Sequence, residues 1–466
     1  MEDGASKIGV RVSTIIALGI AQLHLCMESI NMENRAYLWF STALLVLLGV
    51  SIALTGSAAA QSTGFVDVEA DNLAGNGTPD DPYVITNASE LQAMEDDLHA
   101  HYELGSDVNA SNTAQWNDGR GFDPVGPGYD TAFHGTFDGT GHIIKGLTVD
   151  RSDDTRVGLF GVVEEGGRIR DLSVVSIDIN GDFYSGGIVG SNDGTVISSS
   201  VTGTVAGSNN VGGLAGSNAG FLNTSHTNVS VTGGAQVGGL VGANFDHVVY
   251  KSYAMGPVDG SSRVGGLVGS NYRTITSSYA TGPVTGDSKI GGLVGYNEND
   301  GDKTIITTSY ATGTVRGTNA VGGLVGDNNA SVSDSYWDTE ATGQSTSPGG
   351  AVGLTTAKMT GTTARNSMSA LDFEATWDVV TSPDGYPTLV RQDEPTDTPP
   401  EDSPEVPSGL NGEITTEQYT AVLDGDKELT AGGISAAVNQ WATMGVVNGV
   451  DIGAKELSAL INYWAV

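Results

Sequence analysis

The sequence holds one cysteine, Cys26, in 466 residues. Cys26 precedes the expected export cleavage point, so the mature chain has no thiol chemistry and no disulfide to hold it together. Basic residues are also scarce: 20 Lys plus Arg stand against 55 Asp plus Glu, for a formal net charge of -35. Such a chain repels nucleic acid, whose binding requires neutralising phosphates, and it repels anionic lipid. An acidic surface of this kind suits concentrated salt, where self-repulsion is screened, and a halophilic source is expected. The alternative reading of the charge is an acidic domain with a cationic partner. The motifs of common catalysts are missing as well. There is no HExxH zinc box, no GxSxG nucleophile elbow and no GxxxxGK[ST] phosphate loop.

Glycine, in contrast, is abundant, at 67 residues. No three-residue period accompanies it, which excludes a collagen-like chain. Near the start, Ala36 to Leu54 form an uncharged, mostly apolar run after Arg35, followed by Ala58-Ala59-Ala60. This is the pattern of a secretory signal cleaved near Ala60, with Met27 or Met32 as an alternative initiator; an uncleaved anchor is the competing reading. In an exported chain the N-x-Ser/Thr acceptors Asn76, Asn87, Asn109, Asn223, Asn228 and Asn329 become candidate glycan sites.

An eight-residue box recurs six times: SGGIVGSN from Ser185, VGGLAGSN from Val211, VGGLVGAN from Val237, VGGLVGSN from Val264, IGGLVGYN from Ile290 and VGGLVGDN from Val321. The starts are 26, 26, 27, 26 and 31 residues apart, and a shorter relative, VGLFG, begins at Val157. Between boxes, apolar and β-branched residues alternate with small polar ones, as in TITSSYAT, and no helical period appears from Val157 to Tyr336. A unit of ~26 residues cannot bury its own apolar face, but it can against copies of itself. The expected fold is therefore mainly β: a parallel β-solenoid, one coil per repeat, right-handed, with Val, Ile and Leu of the box inward. The glycines are expected to serve tight corners of positive φ.

Two columns run through the aligned repeats. Every box ends in asparagine (Asn192, Asn218, Asn244, Asn271, Asn297, Asn328), which predicts a stacked amide ladder. A second column follows a constant serine: Val201, His226, Tyr253, Tyr279, Tyr310 and Tyr336. Tyr253, Tyr279, Tyr310 and Tyr336 form either a possible ligand strip for sugars or packing between coils.

At the boxes the chain resembles the GLUG-motif family, named for a Gly-Leu-hydrophobic-Gly core, here Gly266-Leu267-Val268-Gly269 and its sister copies. The flanks GTPDDPYVITNASELQAM (from Gly77), FHGTFDGTGHIIKGLTV (from Phe133), SYWDTEATGQS (from Ser335), Trp377 and Gly385 to Leu389 are similar to the entry and exit segments of such proteins. The resemblance spans about Gly75 to Val390. It implies a secreted or surface protein, often adhesin-like. The same repeats also accompany some extracellular peptidases and polysaccharide-active proteins, and the motif carries no catalytic residues.

The remaining segments complete a domain plan. Residues 1–60 are leader and signal, 61–156 an N-terminal cap with the first β-coils, 157–345 the repeats, and 346–390 the closure. In the cap, ELQAMEDDLHAHY predicts a short amphipathic helix between Ser89 and His101, with Asn87 or Ser89 as N-cap. Residues 391–409 are Pro-rich and acidic, hence an extended linker. Residues 410–466 resemble a dockerin-type pair of calcium-loop helices, which implies a small, separate all-α protein-docking module. Its loops are damaged: Asp424 and Asp426 remain in one and Glu456 in the other, where Gly445, Val447 and Gly449 replace carboxylates. Only weak calcium binding is expected, at Asp424, Asp426 and Glu456, and no other cofactor.

Candidates for chemistry are few. His99 and His101 lie near Glu95 and Glu103, but on a helix residues two apart point away from each other. Asp153 and Asp154 could form a carboxylate pair in a lyase or hydrolase, or simply sit in a solvated turn. The expectation is a non-catalytic, adhesive or binding solenoid, exported, without a membrane span once mature, with an extracellular protein or glycan partner and none of nucleic acid. The alternative is a polysaccharide-active β-helix enzyme, or the accessory region of one, which would show as acids clustered at an open cleft.

Overall fold

Alternation of β-branched and small polar residues makes each repeat a chain of short strands, and stacking pairs every strand with its counterpart one coil on. This appears directly in the computed structural model, which describes residues 70, 73–299, 303–381, 385–390, 446–447 and 450–451. All of these lie in the second of two compact units, Gly64–Val466. The export signal, the linker and the calcium candidates Asp424, Asp426 and Glu456 lie outside the described residues. Of residues 410–466, only an antiparallel pair, Val446–Val447 with Val450–Asp451, is described.

One coil shows the plan. The box strand Val268–Asn271 leads to Thr274–Thr276, then to Tyr279–Ala280, and then to Val284–Gly291, which runs into the next box. Each segment pairs in parallel with its equivalent, for example Val268 with Val294, Ile275 with Ile306 and Tyr279 with Tyr310. The protein is thus a parallel β-solenoid, as expected. Its box sheet has seven strands, from Phe160–Val163 to Val325–Asn328. The adjacent sheet has ten, because it begins earlier, with Tyr83–Ile85, His101–Leu104 and Thr136–Asp138. At a spacing of about 4.8 Å, ten strands span roughly 43 Å.

Inside this coil the box leucine and valine, the isoleucine of the next strand and the valine after the Gly-Pro turn are fully buried: Leu267, Val268, Ile275 and Val284 each show 0% exposure. These residues stack on their own kind, so a single apolar core runs from Ile85 in the cap to Trp337.

The box glycines do not provide corners, which corrects the sequence expectation. Among the described residues from Ser185 to Tyr336 one glycine, Gly203, has a positive φ. The left-handed positions fall instead on two columns of ordinary residues. One column precedes the boxes (Tyr184, Asn210, Gln236, Arg263, Lys289, Ala320) and the other precedes the constant serine (Ser198, Thr224, Lys251, Ser277, Thr308, Asp334). Box glycines are required because backbone occupies the space a Cβ would need. A Cβ on Gly266 would lie 2.1 Å from the carbonyl oxygen of Gly292, and one on Gly265 2.0 Å from that of Val268.

Two polar ladders lock adjacent coils. The asparagine amides form the expected one: Nδ2 of Asn192, Asn218, Asn244, Asn271 and Asn297 each donates to Oδ1 of the next asparagine, at 2.7 to 3.0 Å. The second ladder is the constant serine itself. The amide N–H of Ser225 donates to Oγ of Ser252, that of Ser252 to Ser278 and that of Ser278 to Ser309, at 3.1 to 3.2 Å. Each hydroxyl in turn donates to the carbonyl two residues back, as from Ser278 to Thr276. This ladder begins at Ser199, whose N–H donates to Ser225.

At the start of the chain the cap helix is shorter than expected. Asn87 is the N-cap, its Oδ1 accepting from the N–H groups of Ser89 and Glu90, but the α-helix covers only Ala88–Gln92. A 3-10 turn ends it at Asp96, and His101 already belongs to a strand. The helical argument about His99 and His101 therefore does not apply. His99 stacks on His134 instead, with ring centroids 4.8 Å apart.

Candidate functional site

The tyrosine column forms, with a one-residue correction at its beginning. Register pairs His226 with Ser200, so Val201 lies in the neighbouring column with Thr227. Three consecutive serines, Ser198 to Ser200, hid the true phase. From His226 onward the rings stack nearly parallel. Centroids are 4.7 Å apart for His226–Tyr253 and Tyr253–Tyr279, and 5.0 Å for Tyr279–Tyr310.

The stack is not an open strip along its length. Tyr279, Tyr310 and Tyr336 are buried with Met359, Met368, Leu371, Phe373 and Trp377 of the closure. The hydroxyl of Tyr310 donates to the carbonyl of Pro387 at 2.5 Å, and that of Tyr336 accepts from the N–H of Ala370 at 3.1 Å. Burial pushes the Tyr310 hydroxyl well above its ordinary pKa. Only His226 and Tyr253 are left partly exposed. The chain's own Met359, Met368, Leu371, Phe373 and Trp377 cover most of the face that the sequence nominated for sugar.

Of the candidate glycan sites, Asn223 is buried, at 4% exposure, and its side chain is out of an enzyme's reach. Asn87 caps the helix, and Asn228 is exposed on a strand.

Among the described residues two concave sites stand out, neither of which the sequence reading assembled. The first is a cleft of about 660 Å³ beside the cap, lined by Glu95, Asp123, Arg151, Asp153, Asp154 and Arg156, among others. The buried Arg151 organises it, pairing with Asp123 and, at 3.4 Å, with Asp154, while its Nε donates to the carbonyl of Phe122. Asp154 is also held by Arg120 at 2.6 Å. The pair nominated from sequence is therefore divided: Asp154 is tied into an ion-pair network, and Asp153 is an exposed wall residue. The carboxyl of Glu95 is pushed up to about 7, chiefly by desolvation and then by the charge of Asp123, with Arg151 opposing. A carboxyl poised near neutrality is a chemical prerequisite for acid–base work.

The second site is a groove of about 590 Å³ on the outer side of the box sheet. Tyr129, Tyr184 and Phe245 contribute rings, Arg156 a guanidinium, and Glu164, Asp193 and Asp246 carboxylates. The hydroxyls of Tyr129 and Ser191 are hydrogen-bonded at 3.2 Å. Asp193 has its carboxyl pKa raised, first by burial and then by Glu164; Tyr129 and Arg156 oppose the shift. One signal in the sequence could have found part of this groove. The residue after each box asparagine forms a column, Asp193, Ala219, Phe245, Tyr272, Glu298, Asn329, and Phe245 stacks on Tyr272 at 5.2 Å.

Among the described residues no group of three or more His, Cys, Asp or Glu side chains is arranged to hold a metal ion. Nor is any helix there long and apolar enough to cross a membrane.

Comparison with known proteins follows the repeats. The family model described as the GLUG motif matches residues 260–285 and 286–316. The chain is 39% identical over 141 residues to Halomucin of Haloquadratum walsbyi, a match covering 29% of this chain and 2% of that protein. It is 33% identical over 143 residues to a "Putative Gly-rich membrane protein" of Evansella cellulosilytica, covering 27% of this chain and 15% of that one. The chain thus spans a small fraction of the curated relatives it matches. A solved structure titled "putative immunoglobulin A1 protease", from Bacteroides ovatus, is 21% identical, with a TM-score of 0.48 over 68% of this chain and 94% of its own.

Proposed function

We propose that this β-solenoid, which carries the GLUG motif, works outside the cell as a binding module. The supporting observation is the groove on the box face, where partly exposed rings and polar groups meet on a surface built from repeats. Stacked coils with two hydrogen-bonded ladders make a stiff scaffold, and a stiff scaffold presents binding groups at low entropic cost. The acid excess suits salty surroundings, in accord with the Halomucin match. Immobilised full-length chain should retain glycans or whole cells without altering them. Failure to retain any glycan, cell or extracellular protein in a broad screen would remove this reading.

A second reading has its own observation, the cleft in which Glu95 is held up to about 7 beside Asp123. If the protein cleaves polysaccharide, incubation with a polysaccharide panel releases reducing ends, and Glu95→Gln abolishes the release. If it only binds, no reducing ends appear with either protein.

A further inference from the structure

We propose that the groove between Tyr129 and Phe245 binds a linear, non-acidic glycan; this rests on the reading of the solenoid as a binding module. Four observations converge on it. First, the rings are partly open. Tyr129 is 47% and Phe245 37% exposed, with Arg156 against one face of Tyr129 and Tyr272 against one face of Phe245. Exposed aromatic faces lose little by covering the apolar face of a sugar ring and gain burial.

Second, a hydrogen-bond donor is held ready near the Asp193 carboxylate that it attracts. The Arg156 guanidinium lies 4.7 Å from the Tyr129 ring centre and 5.8 Å from that of Tyr184, and it makes no ion pair within the described residues. Stacking fixes its plane while its N–H groups stay available. Third, acceptors face the same space: Glu164, Asp193 and Asp246 line the groove. Donors, acceptors and ring faces together match a polyhydroxylated ligand. Asp246 is already paired with Arg273 at 2.9 Å, but Glu164 and Asp193 still outnumber the one remaining guanidinium and disfavour uronates and sulfated sugars, on a chain whose net charge is already -35.

Fourth, the platform is directional. Phe245 stacks on Tyr272 of the next coil at 5.2 Å, so the aromatic surface continues along the stacking axis. A line of equally spaced coils suits a linear polymer.

The test is affinity electrophoresis of the full chain in gels containing dextran, mannan, hydroxyethylcellulose or polygalacturonate. Parent protein should be retarded by at least one of the first three and not by polygalacturonate. Tyr129→Ala and Phe245→Ala should each weaken that retardation by about tenfold, roughly the loss of one stacking contact. Both side chains are exposed, so both variants should unfold at the parent temperature, which is checked first. Equal retardation of parent and variants, or preference for polygalacturonate, overturns the groove assignment while leaving the binding module standing. Absence of retardation by any of the four, with retention on cells or proteins intact, overturns the glycan alone. Retention by nothing overturns the module itself.

Discussion

Replacing Gly266 by alanine should destabilise the solenoid by about 3 kcal/mol or more, although alanine is the smallest possible change. The new Cβ would lie 2.1 Å from the Gly292 carbonyl oxygen and 2.9 Å from the Ala280 Cβ. The first is backbone of the next coil and cannot rotate away. To admit the methyl group two coils must separate, which strains the parallel pairing of Val268 with Val294 and the amide ladder beside it. Gly128 is the control. It too lies outside the left-handed region, and its nearest neighbour to an added Cβ is the Thr131 hydroxyl at 3.7 Å. Gly128→Ala should change stability by less than about 0.5 kcal/mol. Urea unfolding of the two variants checks both values. Equal, small effects would mean that the coils are not as closely stacked as described.

Asn271→Ala should cost roughly 3 to 5 kcal/mol. Asn271 accepts from Asn244 at 3.0 Å and donates to Asn297 at 2.9 Å and to the Arg273 carbonyl at 2.6 Å. Removing it leaves a buried N–H on one neighbour and a buried carbonyl on the other, each costing about 1–3 kcal/mol. The ladder's first member should behave differently. Asn192 donates to Asn218, but its own Oδ1 is buried without a partner, because the preceding coil has Val163 at that position. Asn192→Ala removes one orphan while creating another, and should cost about half as much. A ladder in which end and interior substitutions cost the same is not acting as a hydrogen-bonded chain.

Much of this was legible in advance, for a physical reason. A solenoid writes each contact column into the sequence at the repeat period, so box spacing revealed the coils, and the terminal asparagine revealed the ladder. What the period does not encode was missed. The backbone distance between coils is invisible in a list of residues, so the box glycines were assigned to corners that ordinary residues such as Gln236 and Lys289 occupy. The closure segment was recognisable, but its resting place over Tyr279 and Tyr310 depends on long-range packing by Met368 and Trp377. Both concave sites draw on residues outside the repeat register. Glu95 meets Asp123 and Arg151 across the cap, and Tyr129 reaches Ser191 from a 3-10 turn, so the repeat spacing announces the Phe245 end of the groove but neither of these meetings.

The central claim is that each residue of the repeat lies beside its equivalent one coil later. Asp259 and Thr285 are such a pair, both exposed on neighbouring parallel strands. In a background where Cys26 is replaced by serine, Asp259→Cys with Thr285→Cys should form a disulfide on mild oxidation, because parallel neighbours lie within the required Cα separation. Asp259→Cys with Asp287→Cys, two residues out of register, should stay reduced, since that offset takes the Cα atoms beyond about 7 Å. Mass spectrometry of the oxidised proteins distinguishes them. Cross-linking of the first pair alone is the predicted result; cross-linking of the second pair in preference to the first would contradict the solenoid.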